Sequence, residues 1–136
     1  YQWSQGRAVV ATGSPFDDVW YGDEAHPIGQ GNNAFIFPGL GFGAILSEAS
    51  QVTDGMVAAA AYALADYTEV KHLRQGRIYP PISELQPVSI EVAIKVVEQA
   101  MDEGVARIEG LAREDIRARV ESHFWEPVYL PIRKKA

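Results

Sequence analysis

Arg7-Ala8-Val9-Val10-Ala11-Thr12-Gly13-Ser14 is a short apolar run that closes on a glycine and a hydroxyl. Its length and its adjacent valines fit a strand. Both faces read as apolar, so the strand is expected to be buried and parallel. A buried parallel strand belongs to an α/β sheet with helices over its faces. In such sheets ligands bind beyond the carboxyl ends of the strands. Gly13 would let a ligand approach the backbone there, and the Ser14 hydroxyl could donate or accept a hydrogen bond. The same two residues also suit a plain turn into Pro15-Phe16-Asp17-Asp18, so composition leaves both readings open.

Moving outward, Val19-Trp20-Tyr21 and the stretch around His26-Pro27-Ile28 flank Gly22-Asp23 and predict a small hairpin, with Pro27 limiting its pairing. Gln30-Gly31-Asn32-Asn33 then leads into a segment from Ala34 to Ala49 that is apolar nearly all round. If helical it is buried, with an asparagine as N-cap. Pro38 and three glycines make its first part irregular or kinked. Gly39-Leu40-Gly41-Phe42-Gly43 lacks the G-x-G-x-x-G spacing and the preceding strand of a dinucleotide fingerprint. Its glycines predict close backbone packing instead.

Thr53-Asp54 caps a helix expected to reach about Asp66, rich in alanine. Pro80-Pro81 predicts an extended connector. Pro87 suits a first helical position. Ile90, Ala93, Ile94, Val97 and Met101 form one apolar stripe of the helix that follows, and Gly104 stops it. A last helix is expected from about Arg113 to His123, with Ile108, Ala112, Ile116, Val120 and Phe124 along one face. Beyond it lies an extended tail ending in Arg133-Lys134-Lys135, read as a solvated end. The chain thus divides into a strand and loop region over 1–33 and a helical region with its tail over 34–136.

Of 136 residues, 18 are acidic and 12 basic, a net charge of −6. An acidic chain repels phosphate backbones, so no nucleic-acid partner is expected. There is no cysteine, which excludes disulfides, thiolate metal sites and cysteine nucleophiles. No apolar run is long enough to span a bilayer, so no membrane partner is expected. No secretory signal is visible, which makes the cytoplasm the default compartment, with mitochondria the alternative. The text opens on Tyr1, so a piece of a longer chain is expected. His26, His72 and His123 are far apart, and Asp17-Asp18 would face opposite ways on a strand, so no metal site is expected. Asn32-Asn33 is the remaining candidate. A carboxamide offers two donors and an acceptor without charge, and two in succession at a helix start could hold a carboxylate, an amide or a hydroxyl, or simply cap.

Ala11-Thr12-Gly13-Ser14-Pro15-Phe16, followed by Gly29-Gln30-Gly31-Asn32-Asn33-Ala34-Phe35-Ile36-Phe37-Pro38-Gly39 and then Thr53-Asp54-Gly55-Met56, resembles the C-terminal part of the malic enzymes. Phe124-Trp125 and the basic tail extend the likeness, which is weakest from Tyr67 to Arg113. The wording resembles the large-subunit branch. The resemblance implies an α/β fold: the C-terminal piece of a Rossmann-like NAD-binding domain, mainly helical with a short strand region. It implies a parent oxidoreductase that decarboxylates L-malate to pyruvate and CO2 while reducing NAD, or NADP, with Mg²⁺ or Mn²⁺. A malolactic enzyme, which releases lactate, and a non-catalytic module that keeps the fold are the alternatives. By analogy Asn32 and Asn33 bind substrate, while Gly13, Ser14 and Asn32 lie near the cofactor. The family's catalytic tyrosine and lysine, its metal carboxylates and its glycine fingerprint lie upstream of such motifs. No catalytic or metal residue is therefore expected within this chain, which should be inactive alone. Its expected partners are L-malate, the rest of the parent chain, and further copies in a dimer or tetramer.

Overall fold

The computed structural model describes residues 1–126, 128–129 and 131–132. Four short strands come first: β1 (Val10–Thr12), β2 (Val19–Tyr21), β3 (Glu24–His26) and β4 (Ile28–Gln30). Four helices follow: α1 (Phe37–Leu46), α2 (Asp54–Lys71), α3 (Leu85–Asp102) and α4 (Ile116–His123). The expected basic end at Arg133-Lys134-Lys135 lies outside the described residues.

β1 is parallel, as the sequence predicts, but it is shorter than the apolar run and half-buried rather than buried. Its neighbour comes from this same chain. Val10 sits opposite Ile28, Ala11 opposite Gly29 and Thr12 opposite Gln30, so β4 pairs with β1 in register. A parallel pair needs a crossover of a dozen or so residues. Here residues 13–27 make it, and they carry the hairpin of β2 and β3 instead of a helix. The hairpin pairs Val19 with His26 and Tyr21 with Glu24, and Gly22 takes the left-handed conformation in its turn (φ 64°). The expected second hairpin strand around His26-Pro27-Ile28 is therefore corrected. Pro27 has a fixed φ and no N–H to donate, and it separates β3 from β4.

Asn32 caps a 3-10 turn over Asn33–Phe35, and α1 starts after a break at Ile36. Pro38 falls in the first turn of α1, where the backbone has no intrahelical acceptor to reach. The expectation that this segment is buried all round holds on one side only. Leu40, Gly43 and Leu46 are buried, while Phe37 and Ile45 face outward. Two of its glycines are where helices touch. A methyl group on Gly39 would stand 2.6 Å from Val92 Cβ and 2.8 Å from the Ser89 carbonyl oxygen. One on Gly43 would stand 2.7 Å from Val96 Cβ and 2.8 Å from the Ala93 oxygen. The pair, one helical turn apart, lets the α1 backbone lie directly on α3.

Thr53 caps α2 by accepting the Met56 N–H at 3.1 Å, with Asp54 in the first turn and Lys71 in the last, both favourable to the helix dipole. α2 continues a full turn past Asp66, because Thr68 is buried and its hydroxyl returns to the Leu64 carbonyl at 2.7 Å. Pro87 is the third residue of α3, not the first. α3 is the centre of the domain and buries two faces. Val88, Val92, Val96 and Ala100 join Phe35, Leu40, Met56, Ala60 and Leu64 in one core. Ala93, Ile94 and Val97 join Leu46, Ile116 and Val120 in a second. α4 follows a 3-10 turn at Arg113–Asp115, and Arg117 grips both Glu91 oxygens at 2.8 and 2.9 Å. Phe124 meets Phe42 edge-on with ring centroids 5.6 Å apart.

Candidate functional site

The two sequence candidates arrive at one edge of the parallel pair. β1 ends at Thr12 and is followed by Gly13-Ser14; β4 ends at Gln30 and is followed by Gly31-Asn32-Asn33. The ladder runs one bond past the strands, the Gly31 N–H donating to the Thr12 carbonyl at 2.8 Å. Across the same edge the Gln30 carboxamide donates to the Gly13 carbonyl at 3.3 Å. Thr12 folds its hydroxyl onto the Ser14 carbonyl at 2.8 Å and so fixes the start of the loop. A methyl group on Gly13 would meet nothing within 4 Å, so the backbone there is open to an approaching molecule.

The two asparagines have different work. Asn32 has extended backbone (φ −109°, ψ 136°) and its side-chain oxygen accepts the Ala34 N–H at 2.9 Å. That bond satisfies one orphan donor of the 3-10 turn and fixes the side chain. Asn33 is exposed. Both line a cleft of about 320 Å³ that Gly31, Leu64, Thr68 and Tyr79 also line. Gly13 and Ser14 sit at the same strand edge but do not line this cleft. Tyr79 escaped the sequence reading. It lies between a glycine turn and Pro80-Pro81, and nothing in its neighbours marks it as belonging to a site 45 or more residues upstream.

A second polar cluster ties the end of α2 to the turn before α3. Tyr67 donates its hydroxyl to Glu84 at 2.8 Å, and buried His72 meets the same carboxylate through Nε2 at 2.9 Å. The Lys71 ammonium stands 4.0 Å from the Tyr67 ring centroid. The phenol bond, with help from His72, holds the Glu84 carboxyl below its ordinary value of 4.5. A carboxyl lowered on folding stabilises the fold above its unfolded value, and that contribution disappears as pH falls through the folded value. Glu84→Gln should therefore melt lower than wild type at neutral pH. The gap should close as pH drops below 4.5. Melting curves of the protein at a series of pH values check this. A gap that does not depend on pH would show that packing, not charge, accounts for Glu84. Among the described residues no three His, Asp or Glu converge as metal ligands.

The parallel pair of β1 and β4 thus ends in an open glycine on one strand and leads into an asparagine pair on the other. The family model described as "Malic enzyme, NAD binding domain" matches residues 1–101, and the chain belongs to that family. It is 41% identical over 128 residues to the NAD-dependent malic enzyme of Pectobacterium atrosepticum, an alignment that covers 94% of this chain and 22% of that protein. It is 44% identical over 130 residues to the NADP-dependent malic enzyme of Dictyostelium discoideum, covering 95% of this chain and 23% of the relative. The crystal structure of Entamoeba histolytica malic enzyme superimposes with a TM-score of 0.68 at 28% identity, over 88% of this chain and 22% of that one. The chain therefore spans less than a quarter of the length of these relatives.

Proposed function

We propose that this chain supplies the carboxyl-edge wall of the active site in an enzyme that oxidises L-malate and decarboxylates it to pyruvate, with NAD as the oxidant. The observation that carries the reading is the division between the asparagines. Asn32 spends its side-chain oxygen on the turn. Asn33, next along the chain, presents its carboxamide at the cleft edge. A neutral amide N–H that meets a substrate carboxylate orients the molecule without burying another charge, and orientation is a large part of rate enhancement. Gly13 and Ser14, at the neighbouring strand end, suit the cofactor side of the edge, because the open Gly13 backbone lets a planar ring approach. NAD bound there would accept the hydride from the malate carbon bearing the hydroxyl. The chain's own part is to hold malate and keep that carbon facing the ring.

The divalent ion and the proton-transferring residues of such an enzyme would come from the remainder of a longer chain. Phe37, Ile45, Tyr62 and Trp125, 63 to 76% exposed, are apolar surface that fits burial against that remainder or against a second subunit.

A product assay tests the reading. The full-length enzyme, given malate, Mn²⁺ and either nicotinamide cofactor, should release pyruvate with one reduced cofactor per turnover. Residues 1–136 alone should give no reduced cofactor above blank. Lactate without net reduction would move the assignment to a malolactic enzyme. Turnover by residues 1–136 alone would show that the catalytic groups lie within them.

A further inference from the structure

We infer that Tyr79 is a positioning residue for the asparagine turn, acting through its ring on Gly31; the inference rests on the malate reading above. A methyl group on Gly31 would lie 3.3 Å from Tyr79 Cε2, 3.4 Å from Cζ and 3.6 Å from the hydroxyl oxygen. The ring thus occupies the space into which any side chain at Gly31, the residue that precedes Asn32 and Asn33, would project. The same ring is near-parallel to Phe35, with centroids 6.3 Å apart and planes 25° apart, so it touches both ends of the Gly31–Phe35 turn. Its backbone is also fixed. The Tyr79 nitrogen lies 3.6 Å from where a Gly29 side chain would begin, beside β4. The next residue, Pro80, is fully buried and restricts Tyr79 to extended backbone. Tyr79 also lines the cleft that Asn32 and Asn33 line.

This geometry makes Tyr79 a rigid stop behind the turn. Asn32 is tied from within the turn by its cap; Tyr79 braces the turn from outside. If the stop is removed, the turn keeps its cap but shifts as a body, and the Asn33 carboxamide moves with it. A displacement of about 1 Å in a substrate-orienting group can cost up to ~100-fold in rate. The contact is made by ring carbons, and among the described residues the Tyr79 hydroxyl makes no hydrogen bond, so phenylalanine should serve as well as tyrosine.

The experiment is a double-substitution cycle on the full-length enzyme, after wild type has been shown to turn over malate. Tyr79→Leu should lower kcat/KM for malate by about tenfold or more while leaving KM for the cofactor within about twofold, and Tyr79→Phe should restore wild-type values. Gly31→Ala pushes on the same contact without emptying the core, so it remains informative if Tyr79→Leu fails to fold. It should produce the same malate-selective loss at an unchanged melting temperature. The two together should lose less than the product of the single losses, because the space left by the ring admits the methyl group. Equal losses for malate and cofactor, multiplicative losses in the double variant, or an unchanged kcat/KM for malate in Gly31→Ala would each overturn the positioning role. Failure of wild type to turn over malate would overturn the reading beneath it, and the control shows that before any variant is compared.

Discussion

Replacing Asn33 by alanine in the full-length enzyme is expected to lower kcat/KM for malate by about 10- to 100-fold while the melting temperature stays at the wild-type value. The size follows from the bond removed. A hydrogen bond between a neutral donor and a charged acceptor is worth about 1.5–3 kcal/mol, and each 1.4 kcal/mol is roughly tenfold. The unchanged stability follows from position, since Asn33 is exposed and its carboxamide does not cap the turn. Asn33→Asp has the same size and shape but sets a carboxylate against a carboxylate. Its loss should exceed that of alanine and approach about a thousandfold. Asn32→Ala should behave differently. It removes the cap to the Ala34 N–H and should cost about 1 kcal/mol of stability along with activity. Steady-state kinetics and melting curves on the three variants separate the two roles. If Asn33→Ala leaves malate kinetics unchanged, the carboxamide does not meet the substrate.

A large structural effect is expected at Gly43, as at Gly39 one turn earlier. An added methyl would collide with Val96 Cβ at 2.7 Å and with the Ala93 carbonyl oxygen at 2.8 Å. A side chain can rotate away, but a helix carbonyl cannot move without its helix. Gly43→Ala must therefore push α1 off α3 and open both cores that α3 joins. Overpacking of this kind costs about 1–3 kcal/mol, and contact with backbone places it at the upper end. The internal control is Gly41→Ala, two residues away on the same helix, where an added methyl meets nothing within 4 Å. That change should be neutral or stabilising by up to about 1 kcal/mol, the helix-propensity gain of alanine over glycine. Denaturation midpoints of the two variants should fall on opposite sides of wild type, or at least differ by several degrees. Equal midpoints would mean that the α1–α3 contact is looser than described.

The Gly-Leu-Gly-Phe-Gly run also shows how far sequence reading reaches. Spacing and the lack of a preceding strand exclude a dinucleotide fingerprint and point to close packing, and Gly39 and Gly43 do pack against backbone. Gly41 does not, and spacing cannot separate it, because which face of a helix meets a neighbour is a tertiary fact. The same gap explains α3. Ile90, Ala93, Ile94 and Val97 repeat at helical intervals and are legible as a stripe. Val88, Val92, Val96 and Ala100 recur at steps of four and make a second stripe, which packs in one core with residues of α1 and α2. β4 was hidden for a local reason. Ile28-Gly29-Gln30 has a glycine at its centre and a proline before it, both poor strand signals. It is a strand because Gly29 lets Ala11 come close, an added methyl standing only 3.3 Å from Ala11 Cβ. Caps were the most legible features, since Asn32, Thr53 and Gly104 act through bonds or conformations that span a few residues. Tyr79 was the least legible. Its partners are Gly31 and Phe35, and only the folded chain brings them together.

In the proposed function the carboxyl edge of β1 and β4 forms one wall of the malate site, with Asn33 as the group that meets the substrate. The most direct measurement is a crystal structure of the full-length enzyme with malate and the oxidised cofactor bound. A malate carboxylate oxygen is expected within about 2.7–3.2 Å of the Asn33 side-chain nitrogen, with the Asn32 oxygen still on the Ala34 N–H. Malate seated elsewhere, with Asn33 turned to solvent, would contradict it.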